Sequence, residues 1–180
     1  MNRIATFEKV SFEEFRKDLK SCLEEAYDVK ITNEVEFQKT AEEAYNFVKL
    51  PTRATSGSAG YDIVSPMGFE LRPQKSIRVP TGIRVKIDEG WFLAVFPKSG
   101  LGFKYRVQLD NTIGVVDEDY YYSDNEGHIF VKITNDNYQN KTLVINPGDK
   151  FVQGIFLPYG ITVDDNATGK RNGGFGSTGK

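Results

Sequence analysis

The sequence predicts an all-β fold, a β-sandwich, jelly roll or small barrel, and three observations support this class. From Leu50 onward, apolar and polar residues alternate with a period of two, as in residues 83–87 and 129–133. Residues 91–96 and 150–157 are more continuously apolar, which is typical of strands in a sandwich core. Prolines and glycines separate these segments, and no helical pattern of useful length interrupts them, so many short strands are expected.

The first fifty residues follow a different pattern, which predicts one strand and then a small pair of helices. Ser11 and Glu14 have the spacing of a capping box ahead of an amphipathic stripe, and a second helix start lies near Asn33. We therefore expect one domain over residues 1–180, with a first strand at 1–10, a helical insertion at 11–49, a β core at 50–163 and an arm at 164–180. The arm is polar and contains five glycines, so we expect it to be flexible.

Composition narrows the function classes. Lys plus Arg (23) nearly balance Asp plus Glu (25) without a block of like charge, which argues against a nucleic-acid-binding surface. No apolar run approaches the roughly 20 residues that span a bilayer, so no membrane role and a cytoplasmic location are expected. Cys22 is the only cysteine and falls on the first helical stripe, which predicts a buried structural thiol. His128 is interpreted as a half-exposed strand residue.

Five segments carry the functional argument, because their order and spacing together are far more specific than any one glycine-rich turn. They are PTRATSGSAGYDI (51–63), PKSGLG (97–102), NTIGVVDEDY (111–120), GDKFVQGIFLP (148–158) and RNGGFGSTG (171–179). Together they resemble the trimeric dUTPase family over residues 51–180. The resemblance implies a dUTPase-like jelly roll that hydrolyses dUTP to dUMP and pyrophosphate with the help of Mg²⁺.

The same resemblance assigns the chemistry to two residues. Asp117 would orient and deprotonate the water that attacks the α-phosphate, while Mg²⁺ offsets charge on the leaving pyrophosphate. Gln153 would form hydrogen bonds near the scissile bond. Because neighbours on a strand point to opposite faces, Glu118 is not expected to share the face of Asp117. Asp62 would support the water shell of the metal or pair with Lys98.

The resemblance also implies which residues bind the substrate. Asn111 and backbone groups of a hairpin that follows it would read the uracil edge, Tyr120 would lie against the deoxyribose, and Phe175 would stack on uracil. A simpler interpretation of Tyr120, a core aromatic, stays open. The phosphates would be held by the remaining candidates, which are Lys98, Ser99, Gly100, Lys170, Arg171, Gly176, Ser177 and Thr178.

Three departures from the family pattern are visible. The family usually has arginine where this chain has Lys98, a change that keeps the charge but loses bidentate geometry. The glycine that normally follows the tyrosine by two residues comes seven residues later, as Gly127, so residues 121–126 lengthen the predicted hairpin. In the last segment, Lys170 stands at the usual arginine position, so the γ-phosphate contact falls to Lys170 or to Arg171.

The family resemblance further implies a homotrimer with shared active sites. The second and fourth segments would come from one subunit, the third from another and the fifth from the remaining one. Two alternatives stay open: a dCTP deaminase-like enzyme of the same fold, and a dUTP-binding sensor that contacts an unidentified regulatory protein. The helical pair is interpreted as an insertion that packs on the β core or thickens a subunit contact.

Overall fold

A computed structural model describes residues 2–169 and 171–172, and in this part of the chain the fold is mostly antiparallel β-structure. The strands are β1 (Ala5–Lys9), β2 (Thr52–Arg53), β3 (Tyr61–Val64), β4 (Phe69–Leu71), β5 (Ser76–Pro80), β6 (Ile83–Ile87), β7 (Trp91–Pro97), β8 (Val107–Leu109), β9 (Gly114–Val116), β10 (Phe130–Asn135), β11 (Leu143–Ile145) and β12 (Lys150–Pro158). The helices are α1 (Phe12–Tyr27), α2 (Glu34–Asn46) and α3 (Ser99–Tyr105), with a 3-10 helix at Glu118–Tyr122. The predicted jelly-roll-like β class is confirmed.

The strands form one large sheet and three smaller ones. The large sheet has the order β2-β3-β12-β7-β9, and a three-stranded sheet has the order β5-β10-β8. The pairs β1-β6 and β11-β4 complete the described sheets. Alternate residues of these strands, such as Val79, Ile133 and Phe151, are fully buried, which is the pattern that the period of two predicted.

Strand β12 lies at the centre of the large sheet and fixes the register of the site. Its Gln153 lies opposite Asp62 of β3 on one side and Phe96 of β7 on the other. The next residue has to be small, because a Cβ at Gly154 would lie 2.7 Å from the Leu93 Cδ1 atom. Glycine therefore allows the two central strands to pair while Leu93 fills the core.

The helical pair forms where the sequence predicts it. The Ser11 hydroxyl accepts a hydrogen bond from the Glu14 N–H at the start of α1, and the Asn33 side chain caps α2 through the Glu36 N–H. The apolar stripes of both helices are buried in the same core cluster as the strands; their buried members are Phe15, Leu19, Phe37, Ala41 and Ala44. None of the described helices is both long and apolar enough to cross a bilayer.

Two short helices lie within the β region, where the sequence shows no helical pattern of useful length. Helix α3 follows β7 directly, and the 3-10 helix follows β9. Ser99 and Gly100 therefore open a short helix. Helix α3 has no buried residue, so no apolar stripe marks it in the sequence.

The predicted hairpin after Asn111 is also wrong. Strand β8 pairs with β10 in the three-stranded sheet, whereas β9 pairs with β7 in the large sheet. The segment between them therefore crosses from one sheet to the other. Residues 121–126 complete the 3-10 helix and a following turn, so they do not lengthen a hairpin tip.

His128 is not a half-exposed strand residue, because it is fully buried just before β10. Its Nδ1 atom lies 2.7 Å from the Asp18 Oδ2 atom of α1, and its Nε2 atom accepts a hydrogen bond of 2.8 Å from the Gly82 N–H. Burial of a polar ring is tolerated when both nitrogens are paired. Cys22 is buried as expected, and burial raises the pKa of its thiol to about 12.

Candidate active site

A cavity of about 420 Å³ opens beside β9, where the chain passes from one sheet to the other. This volume falls in the range of small-molecule sites, about 300–1,000 Å³. Its lining includes Val95, Leu109, Asn111, Gly114, Tyr120 and Arg171. The structure therefore brings together three of the residues that the sequence assigned to substrate binding: Asn111, Tyr120 and Arg171.

Tyr120 forms a buried wall of this cavity. Its side chain is 5% exposed and belongs to the core cluster, as a core aromatic would. The same side chain also lines the cavity, as a substrate-binding residue would. The Tyr120 hydroxyl donates to the His128 carbonyl at 2.7 Å and accepts from the Asn125 Nδ2 group at 2.9 Å. Burial raises the pKa of the Tyr120 hydroxyl, which keeps it protonated and able to donate.

Asn111 lies at the mouth of the cavity, in the crossover between β8 and β9. It is exposed, and its carbonyl accepts a hydrogen bond from the Ile113 N–H at 2.7 Å. Thr112 between them has a φ of 67°, so a tight turn presents Asn111. Gly114 then allows β9 to approach β7, since a Cβ there would lie 3.1 Å from the Val95 Cβ.

Asp117 directly follows β9 and precedes the 3-10 helix, with an extended backbone (φ −75°, ψ 160°). The expectation that it shares a strand with Glu118 is wrong, although the two carboxylates do point to different partners. Glu118 accepts a hydrogen bond from the Gly90 N–H, whereas Asp117 accepts one from Arg171. The Asp117 side chain is 44% exposed, so a water molecule can reach it.

Arg171 spans two carboxylates. Its Nη2 group donates to Asp117, and its Nε group donates to Asp119 at 2.8 Å. The guanidinium carbon also lies 5.9 Å from the centre of the Tyr120 ring. The sequence left the γ-phosphate contact to Lys170 or Arg171, and it gave no role to Asp119.

A second group of predicted residues lies around Asp62, which is 6% exposed. Lys98 pairs with the Asp62 Oδ1 atom, and the Lys150 Nζ atom lies 2.8 Å from the Oδ2 atom. Burial by itself raises the pKa of Asp62, but hydrogen bonds from Lys150 and Lys98 outweigh it, so the pKa lies below its ordinary value. Of the two roles left open for Asp62, pairing with Lys98 is present.

Lys150 was missed by the sequence analysis. It begins β12, while Asp62 lies on β3, and only the pairing of these two strands brings them together. No local pattern signals such a contact.

Gln153 and the start of α3 complete this second group. The Gln153 side chain covers Gly60, where a Cβ would lie 2.7 Å from the Gln153 Oε1 atom. Ser99 and Gly100 are exposed at the first turn of α3, where backbone N–H groups have no acceptor within the helix. These exposed N–H groups suit an anion.

Within the part of the chain that the structure describes, no hydrogen bond or ion pair joins Asn111, Asp117, Tyr120 or Arg171 to Asp62, Lys98 or Gln153. The remaining predicted residues lie outside the described residues, and they are Lys170, Phe175, Gly176, Ser177 and Thr178.

Among residues 2–169 and 171–172, no three His, Cys, Asp or Glu side chains cluster as a metal site. Both carboxylate oxygens of Asp62 are engaged by lysines. Asp62 therefore fits a role toward Mg²⁺ through water rather than as a direct ligand.

The antiparallel jelly-roll-like fold and its cavity, with a buried tyrosine, an exposed amide and an arginine-bound carboxylate, define a β protein with a candidate site for a small polar ligand. Comparison with known proteins then places it. The chain belongs to the dUTPase family, because the sequence model of that family matches residues 46–179.

Individual relatives agree with this assignment. The chain is 37% identical over 135 residues to the deoxyuridine 5'-triphosphate nucleotidohydrolase of Lactococcus lactis, which covers 73% of this chain and 89% of the relative. The crystal structure of a dUTPase from Streptococcus mutans superposes with a TM-score of 0.57 at 35% identity, over 67% of this chain and 91% of that one.

A more distant structure shares the fold. It is a mutant dUTPase from phage phi11 of Staphylococcus aureus, 24% identical with a TM-score of 0.56, over 67% of this chain and 90% of that one. That phage protein coordinates a structural Mg(II) ion.

Proposed function

We propose that this protein is a dUTP diphosphatase, which uses water to convert dUTP into dUMP and pyrophosphate. The observation that carries the proposal is the position of Asp117. Its partly exposed carboxylate directly follows Val116 of the cavity wall and is bound by Arg171, another lining residue. Membership of the dUTPase family supports dUTP as the nucleotide.

Asp117 would act as the general base. Its carboxylate accepts a proton from a water molecule while the water oxygen attacks the α-phosphorus, and the bond from this phosphorus to the bridging oxygen of pyrophosphate breaks. The Arg171 guanidinium, already held beside the carboxylate, keeps the Asp117 side chain oriented. Mg²⁺ would arrive on the triphosphate and offset the charge of the leaving pyrophosphate.

The cavity would read the base and the sugar. The Asn111 amide stands at the mouth of the cavity beside the backbone of β9, where both can contact the uracil edge. Cytosine reverses the donor and acceptor at position 4, which would leave a polar group unpaired. The buried Tyr120 ring would lie against the deoxyribose and leave no room for a 2'-hydroxyl.

The second group of residues would hold the phosphates. Lys98 and Lys150 provide positive charge around Asp62, and the first turn of α3 provides exposed N–H groups at Ser99 and Gly100. Gln153 lies on β12, opposite Asp62 on β3. The roles predicted for the arm are unchanged: Phe175 would stack on uracil, and the phosphates would be held by Lys170, Gly176, Ser177 and Thr178. We propose that Arg171 binds the γ-phosphate.

We also propose a homotrimer in which neighbouring chains share sites. Apolar residues after β12 support this assembly: Ile161 is 74% exposed and Val163 is fully exposed, which favours cover by another chain. A neighbour's arm could make the contact that Arg171 makes within its own chain.

A substrate panel tests the proposal. Purified protein is incubated with dUTP, dCTP, dTTP or UTP, with and without Mg²⁺, while pyrophosphate and ammonia are measured. We expect pyrophosphate from dUTP with Mg²⁺, little from the other nucleotides and no ammonia. Ammonia from dCTP would instead identify a deaminase, and binding of dUTP without any product would identify a sensor. We also propose that the enzyme acts in the cytoplasm.

A further inference from the structure

Two features that set this chain apart are in contact with each other. The first 45 residues, which contain β1, α1 and most of α2, precede the match to the dUTPase family at residues 46–179. Residues 121–126 separate Tyr120 from Gly127 and lengthen the family spacing. We call residues 121–128 the bracing loop, because it joins the N-terminal segment to the wall of the cavity.

Three pairs of side chains connect the N-terminal segment to the bracing loop. The Tyr121 hydroxyl donates to Glu8 at 2.8 Å. The Ser11 hydroxyl and N–H donate to the two carboxylate oxygens of Glu126, at 2.6 and 2.7 Å. Glu126 thus takes the N–H that a capping box would have given to Glu14.

The third pair is the buried one between Asp18 and His128. Because the His128 Nε2 atom accepts a hydrogen bond from Gly82, its proton lies on Nδ1 and is donated to Asp18. This arrangement fixes both the ring and the backbone of His128. Its carbonyl is the group to which the Tyr120 hydroxyl donates.

Asn125 holds Tyr120 from the other side. Its Nδ2 group donates to the Tyr120 hydroxyl at 2.9 Å and more weakly to the His128 carbonyl at 3.3 Å. The Asn125 Oδ1 atom is buried and has no hydrogen-bond partner among the described residues, so the amide acts through Nδ2. The Tyr120 hydroxyl therefore uses both its donor and an acceptor site, and rotation of the ring would leave buried polar groups unpaired.

We propose that Asn125 is a positioning residue for sugar selection, which fixes the Tyr120 ring against the cavity and is held in place by the N-terminal segment through the bracing loop. The inference rests on the proposed function. A fixed ring excludes a 2'-hydroxyl sterically, whereas a ring free to tilt gives that hydroxyl room. Asn125 itself need not touch the nucleotide.

The test compares kcat/KM for UTP and dUTP in Asn125→Leu, Tyr120→Phe and the double variant. Leucine keeps the approximate shape of Asn125 and removes both the donor and the unpartnered oxygen, so the fold is expected to survive. Asn125→Leu removes the hydrogen bond that the Tyr120 hydroxyl accepts, and this loss should raise the UTP to dUTP ratio about 2- to 10-fold. Tyr120→Phe also removes the hydrogen bond to the His128 carbonyl, so its ratio should rise at least as much. The double variant should show no increase beyond that of Tyr120→Phe, because phenylalanine already lacks the hydroxyl that Asn125 contacts.

Asp124→Ala is the matched control, since Asp124 lies on the bracing loop, is exposed and makes no hydrogen bond or ion pair among the described residues. It should leave the ratio unchanged. A purely structural role of Asn125 would lower turnover of both nucleotides alike, and an Asn125→Leu ratio equal to that of Asp124→Ala overturns the proposal. If Asn125→Leu does not fold, Tyr120→Phe decides alone: an unchanged ratio overturns the proposal, and a raised ratio supports it.

Activity of the parent protein distinguishes failure of the proposed function from failure of the role proposed for Asn125. If the parent releases no pyrophosphate from dUTP, the proposed function itself has failed. If the parent hydrolyses dUTP and the variants keep its sugar selectivity, only the positioning role of Asn125 is refuted.

Discussion

The Arg171 guanidinium donates to the Asp117 carboxylate, and this contact joins the C-terminal arm to the proposed catalytic base. The same guanidinium reaches Asp119 at 2.8 Å and lies beside the Tyr120 ring. The contact also means that Arg171 has to exchange partners, at least in part, before it can bind a phosphate.

Replacement of the base should remove the chemistry and spare binding. We expect Asp117→Asn to bind dUTP but to lower kcat by roughly 10² to 10⁴, the usual contribution of a positioned general base. Asp119→Asn is the matched control, because Asp119 shares Arg171 with Asp117 and should lose only that contact. Steady-state pyrophosphate release and equilibrium dUTP binding measure the two effects. Comparable kcat losses in both variants would refute Asp117 as the base.

Arg171 should distinguish nucleotides by their third phosphate. We expect Arg171→Gln to weaken dUTP binding about 10- to 100-fold, the value of a hydrogen bond to a charged group, and to change dUDP binding much less. Calorimetry with both nucleotides measures the difference, using the Asp117→Asn background to prevent turnover. Lys170→Gln is the comparison variant. If Lys170→Gln rather than Arg171→Gln abolishes the preference for dUTP, the γ-phosphate contact belongs to Lys170.

Much of the fold follows from local sequence patterns, and the failures have a common physical cause. Helices α1 and α2 carry caps and apolar stripes within a few residues of each other, so Ser11 and Asn33 mark their starts correctly. Helix α3 buries none of its residues, and therefore shows no stripe. The wrong hairpin arose because β8 and β9 adjoin in sequence but pair with strands of different sheets.

The site shows the same division between local and long-range information. Asp62 and Lys98 belong to two of the segments that carry the resemblance, so their pairing could be anticipated. The environment of His128 depends on Asp18, 110 residues earlier, and that of Tyr120 depends on Asn125 in a segment where the family spacing no longer applies. Neither contact has a local signature.

The contact between Ser11 and Glu126 should make stability depend on pH. Burial alone would raise the pKa of Glu126, but hydrogen bonds from Ser11 and the charge of Arg84 outweigh it, so the pKa lies below the ordinary 4.5. A lowered folded-state pKa gives stabilisation that is complete above pH 4.5 and is lost as the pH falls through the folded-state value. His128 and Lys17 also face this carboxylate and add to its electrostatic environment.

We therefore expect the unfolding free energy of Glu126→Gln to fall less steeply than that of the parent between about pH 5 and pH 3. Urea unfolding at several pH values measures the slopes. Glu13→Gln provides the control, because Glu13 is exposed on α1 and makes no side-chain hydrogen bond or ion pair among the described residues. Parallel slopes for the parent and Glu126→Gln would show that the contact contributes nothing to acid sensitivity.

Complementation should reveal whether sites are shared between chains. An Asp117→Asn protein and a protein truncated after Asp164 should each be nearly inactive alone. When the two are refolded together, we expect activity to return, because some sites would combine Asp117 of a truncated chain with the arm of a substituted one. If each chain instead supplies Asp117 and Arg171 to the same site, as in the intrachain contact, mixing will restore nothing.

The central claim is that water, activated by Asp117, attacks the α-phosphorus of dUTP, and the position of an isotopic label tests it most directly. Hydrolysis is carried out in ¹⁸O-enriched water with Mg²⁺, and both products are analysed by mass spectrometry. Attack at the α-phosphorus predicts one labelled oxygen in dUMP and none in pyrophosphate. Label in pyrophosphate would place the attack on the β-phosphorus and would contradict the account.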